Sequence, residues 1–116
     1  MPFERFTKIR TKFFDPRATI CKNGVLYING PFAEQTQPHK YCVSYFSKED
    51  KAIGLRFTSD TNEEGLLKAT KRTTAHGSFI CLRSFLAYHN ITFDHSIKLH
   101  PVYNAKEDMW IMKLER

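Results

Sequence analysis

The sequence predicts a mainly β domain, a pseudo-twofold closed β-barrel assembled from two ββαββ units with two short helices. Three observations lead there. Short segments alternate apolar and polar residues at the two-residue period of strands. Turn signals rich in glycine, asparagine and acidic residues separate those segments. The landmarks of residues 15–58 recur in the same order over residues 66–116. The chain has 116 residues, 41% of them hydrophobic and 26% charged, which suits one domain with its own core.

Residues 18–28 read as two strands around Asn23-Gly24, the strongest short hairpin signal because both residues tolerate the positive φ of a type I′ turn. Asn29-Gly30-Pro31 stops the second strand. Proline fits the first turn of a helix, so residues 31–36 are expected to be helical with Phe32 pointing inward. Residues 41–46 form a strand, 47–51 a polar turn and 52–58 the returning strand, and residues 59–65 have the composition of a linker loop.

The pattern then restarts. Residues 66–74 alternate as a strand, and Ala75-His76-Gly77 occupies the place of Lys22-Asn23-Gly24. Residues 78–82 are a strand, and residues 84–90 a helix capped by Ser84. Residues 97–103 and 109–114 are strands around a turn at 104–108. Gly24 lies eight residues before Phe32, as Gly77 does before Phe85, and Lys48-Glu49-Asp50 is matched by Lys106-Glu107-Asp108. The second unit is longer between its Phe and its acidic turn, which a loop absorbs at small entropic cost.

The net charge of +6 is concentrated. Residues 1–22 hold Arg5, Lys8, Arg10, Lys12, Arg17 and Lys22 against Glu4 and Asp15, which is +4 of the total. Residues 1–14 thus form a basic arm suited to phosphate contact, or alternatively a solubilising segment that guards a sheet edge. Lys68, Lys71 and Arg72 form a second basic group. Phe3, Phe6, Phe13 and Phe14 interleave with the arm's cations. Such a pattern suits stacking on single-stranded nucleic acid, but docking of Phe13 and Phe14 on the barrel is favoured.

Enzyme chemistry finds no foothold. Cys21, Cys42 and Cys81 are odd in number and far apart, which fits neither a disulfide framework nor a zinc ribbon, and all three are expected as small buried hydrophobes. His39, His76, His89, His95 and His100 show no metal-ligand spacing, and the glycines form no phosphate loop. Trp110 is expected in the core or at its margin. A non-enzymatic protein without cofactor or metal is therefore expected. With no apolar stretch of signal or membrane-span length, it is expected to be cytoplasmic with no membrane partner.

The unit that carries Lys22-Asn23-Gly24-Val25-Leu26-Tyr27-Ile28, then Pro31-Phe32-Ala33-Glu34, then the strand pair at 41–46 and 53–57, resembles the swapped-hairpin domains of the AbrB and MazE transcription-factor families. The resemblance covers residues 17–58 and, more loosely, 66–114. In those families two chains exchange hairpins to close one barrel, and two fused copies would close it within one chain. The resemblance implies DNA binding through basic residues near the first hairpin and helix. Arg17 and Lys22 match that placement, whereas the helix carries Gln35 and Thr36 where the family has arginines.

Two functions follow as expectations. The first is a small, phage-like DNA-binding transcription regulator that contacts phosphates through Arg5, Lys8, Arg10, Lys12, Arg17, Lys22, Lys68, Lys71 and Arg72, as a monomer or homodimer. The second is a protein-binding module, such as an inhibitor or antitoxin-like protein, that meets an acidic protein surface.

Overall fold

The computed structural model describes residues 15–37, 39–72 and 77–114. These residues form, in order, β1 (Ala18–Ile20), β2 (Val25–Ile28), α1 (Gly30–Thr36), β3 (Tyr41–Ser47), β4 (Ala52–Thr58), β5 (Leu66–Lys68), β6 (Thr70–Lys71), β7 (Ser78–Cys81), α2 (Arg83–Tyr88), β8 (Ile97–Leu99), β9 (Val102–Asn104) and β10 (Met109–Lys113). The protein is mainly β, as expected. The described residues form two antiparallel five-stranded sheets, of order β6-β7-β2-β1-β8 and β5-β3-β4-β10-β9.

The expected closed barrel is not formed, because neither sheet closes on itself. The cause lies in two segments expected to be single strands. The segment at 66–74 breaks at Ala69 into β5 and β6, and the one at 97–103 breaks at His100-Pro101 into β8 and β9. In each case the two pieces end different sheets. Pro101 has no N–H for a ladder, so the second break falls where a strand is weakest. At the first, the Ala69 N–H donates to the Lys40 carbonyl at 2.9 Å, holding the residue beside the start of β3 while the chain turns toward β7.

One core fills the space between the sheets. Ala18, Ile20, Leu26, Ile28, Ile80 and Leu99 point inward from the first sheet, and Cys42, Ile53, Leu55 and Met112 from the second. Their alternation with half-buried or exposed neighbours is the two-residue period made physical. The inner edges of the hairpins join across the molecule, β2 on β7 with Leu26 opposite Ile80, and β4 on β10 with Ile53 opposite Met112.

The turns differ from expectation in a specific way. Gly24 is left-handed (φ +91°) and Asn23 is not, so the first hairpin is not type I′. The Gly24 N–H donates to the Cys21 carbonyl, and the Asn23 side chain accepts from the Val25 N–H. This is a three-residue loop ending on a left-handed glycine. Gly77, expected as its counterpart, likewise immediately precedes the second strand of a hairpin, β7 paired with β6, at φ +104°, and its carbonyl accepts from the Arg72 N–H. A Cβ there would run into the Ile28 carbonyl oxygen and the Asn29 backbone. Gly77→Ala is expected to cost about 2–3 kcal/mol, from the strained φ and the displaced neighbour. Urea unfolding checks it; a loss under about 1 kcal/mol would show that this contact gives way easily.

The helices dock at the sheet ends. In α1, Pro31 sits in the first turn and the Asn29 side chain accepts from the Phe32 N–H at 3.0 Å, a full N-cap. Phe32 is wholly buried, as expected. In α2 the expected Ser84 cap is absent. The helix starts earlier because Leu82 is buried and its N–H is bound to the Gly24 carbonyl at 2.8 Å. It stops at Tyr88 because Asn90 turns left-handed (φ +56°) and the Ile91 N–H reaches back to the Leu86 carbonyl. Phe85, like Phe32, is the third residue of its helix, but it is only partly buried against the core, and Leu86 is the buried residue of α2.

The cysteines divide. Cys42 is buried as expected, and burial pushes its thiol up to about 12, so it carries no thiolate near neutral pH. Cys81 is exposed and Cys21 half-buried, against expectation, because Cys81 takes an outward position at the end of β7 and Cys21 lies just past the end of β1, after inward Ile20. Trp110 is half-buried against Phe32.

Candidate nucleic-acid interface

The pairing of β5 with β3 gathers cations that are distant in sequence. Tyr41 faces Lys68 in this ladder, and Lys40 lies beside Ala69. Lys40, Lys68 and Lys71 consequently line one cleft of about 570 Å³, floored by Ala69, Thr70, Gly77 and Ser78 and walled by the end of α1. All three lysines are exposed. Among the described residues one carboxylate, Glu34, shares the cleft, so their balance there is positive. The Thr36 hydroxyl donates to the Ala33 carbonyl at 2.8 Å, and the His39 ring meets the Ser59 hydroxyl at 2.7 Å, so both polar groups already have partners. The lysines are the groups left to meet an anion.

Arg72 follows Lys71 but points to the other side of the edge. Its guanidinium lies 5.1 Å from the centre of the Tyr27 ring on β2, a cation–π contact on the outward face of the first sheet. Lys71 and Arg72 therefore straddle the edge strand β6, one toward the cleft and one toward the sheet face.

The remaining sequence-predicted cations are placed differently. Arg5, Lys8, Arg10 and Lys12 lie outside the described residues. Arg17 is partly spent: it donates to the Asp15 carboxylate at 3.4 Å and the Pro16 carbonyl at 3.1 Å, and meets His100 Nδ1 at 2.7 Å. A guanidinium only donates, so Nδ1 is the accepting nitrogen of that ring. Three strand spacings, about 14 Å, separate β1 from β6, and Arg17 is thus remote from the cleft. Lys22 lies in the first hairpin near Arg83, whose Nε donates to the Asn23 carbonyl at 3.3 Å. Among other described cations, Arg56 is bound to Glu63 and the Tyr45 hydroxyl, which hold its guanidinium still more firmly protonated, and Arg56 in turn depresses the Glu63 carboxyl.

Lys40 escaped the sequence reading because only the non-local β3–β5 pairing brings it to Lys68. Tyr27 and Phe79 had a readable signal: each alternates with buried neighbours, Leu26 and Ile28 or Ser78 and Ile80, and so had to face outward. Among the described residues no three His, Cys, Asp or Glu side chains group as a metal site, and no helix is long and apolar enough to cross a membrane. No family model, curated protein or solved structure matches this chain.

Proposed function

We propose that this protein is a small, non-enzymatic DNA-binding regulator whose described phosphate-contacting surface is the Lys40, Lys68 and Lys71 cleft, with Arg72 on its rim. The observation that carries the reading is the convergence of three exposed lysines from two non-adjacent segments on one cleft. The net charge of +6 adds a long-range attraction for a polyanion.

The strand pairing supports the duplicated, swapped-hairpin reading of the chain. Each half contributes a hairpin to each sheet, and the halves meet at β2–β7 and β4–β10. With the broken segments β5–β6 and β8–β9 each taken as one, the first segment of each half also pairs with the third of the other, β1 with β8 and β5 with β3. The turns at 47–51 and 104–108 are built alike. The Ser47 hydroxyl accepts from the Asp50 N–H as the Asn104 side chain does from the Glu107 N–H, and Lys51 and Asp108 close the turns left-handed.

The test is fluorescence anisotropy of a labelled duplex titrated with protein at several salt concentrations. Affinity is expected to fall steeply, with log K dropping by about 0.9 per neutralised phosphate per tenfold rise in salt. No binding at low salt would reject the reading. The second reading, a module for an acidic protein, draws on the same lysines and on the exposed Val102 and Tyr103 of edge strand β9. It predicts a stoichiometric protein complex and no oligonucleotide affinity.

A further inference from the structure

Resting on the nucleic-acid reading above, we infer that the outward face of the first sheet stacks the unpaired bases of a single-stranded polynucleotide on Tyr27 and Phe79. Strand register sets Thr70, Phe79, Tyr27, Thr19 and Lys98 in one row across all five strands, about 19 Å from end to end. The two rings are cross-strand partners with centres 6.2 Å apart, and both are half-exposed. Their inward neighbours already supply the core, so burial does not account for two aromatic rings side by side on the outer face. Solvent-facing sheet positions are ordinarily polar.

The charges around the rings select the ligand. Arg72 lies over Tyr27 at one end of the face, Lys98 is exposed at the other, and none of β1, β2, β6, β7 or β8 contains an acidic residue. Aromatic rings flanked by cations suit a polymer with alternating bases and phosphates. A duplex keeps its base faces stacked and presents chiefly phosphates to such a surface, so the rings favour unpaired bases. The lysine cleft lies just across β6, where the polymer's backbone would pass from the sheet face over the edge.

Anisotropy with four labelled probes of equal length tests this: oligothymidylate, oligouridylate, an abasic deoxyribose-phosphate oligomer and a duplex. The expected result is that oligothymidylate or oligouridylate binds at least about tenfold tighter than the abasic oligomer, and the two polymers together show which sugar is preferred. The Tyr27→Leu/Phe79→Leu variant should lose about tenfold on the base-bearing strands and keep its affinity for the abasic one. Equal binding of abasic and base-bearing strands, or an unchanged variant, would overturn the stacking proposal and leave the lysine cleft standing. Absence of binding to every probe at low salt would overturn both. Should the variant not fold, photo-cross-linking of the unaltered protein to iodouracil-substituted oligomer decides: adducts within residues 25–28 or 78–81 support the proposal, and adducts only elsewhere defeat it.

Discussion

Replacing Lys40, Lys68 and Lys71 together by glutamine is expected to weaken duplex binding about 500-fold at about 0.1 M salt. Each phosphate neutralised adds about 0.9 to the slope of log K against log salt, which at that concentration is about an eightfold gain per contact. Three contacts multiply to about 500-fold, and the salt slope should flatten by about 2.7. All three side chains are exposed, so stability should move by no more than about 0.5 kcal/mol. Two controls sharpen the result. Arg17→Gln should change affinity less than about threefold, because its guanidinium already faces Asp15. Lys113→Gln removes an exposed cation from the second sheet, away from the cleft, and should leave affinity unchanged. Equal losses from Lys113→Gln and from a single cleft lysine would mean that net charge, not the cleft, drives binding.

The contrast between Lys68 and Lys40 shows how far the sequence reaches. Lys68 and Lys71 were visible as basic residues on an alternating segment, because strand period and charge are local properties. Their grouping with Lys40 depends on β5 pairing with β3 across the linker, which no local pattern encodes. The same limit explains the barrel. The alternation of residues 97–103 was legible, but the alternation alone does not reveal that Pro101 divides the segment between two sheets. Turn chemistry was legible as location and less so as type. Asn23-Gly24 marked the first hairpin correctly, yet only Gly24 takes the left-handed conformation, and Gly77, at the end of the β6–β7 connection, also allows a close backbone approach to Ile28. The cysteines were assigned from their apolar surroundings, which are identical for inward and outward positions of a short strand. Only the register distinguishes Cys42 from Cys81.

Phe32→Ala is expected to destabilise the fold by about 3–5 kcal/mol, a large share of a small domain's total. Phe32 is fully buried, and its ring lies 4.8 Å from the centre of Trp110 and 5.9 Å from that of Phe57. It fastens α1 to β10 and β4 at once. A helix of seven residues is too short to persist by propensity, so packing of this ring and the Asn29 cap must hold it. Urea unfolding followed by the fluorescence of Trp110, the single tryptophan, reads the loss and the altered ring contact together. Phe32→Leu keeps most of the buried volume and should cost less than about half as much. The binding readout separates fold from function. At a temperature where the alanine variant remains folded, Lys68 and Lys71 stay on their strands, and only Lys40, held next to the helix end, loses its position. Affinity should then fall by about the eightfold share of one phosphate contact. A collapse by the full 500-fold in a folded protein would mean that α1 itself carries the interface, and the cleft lysines would lose their assigned role.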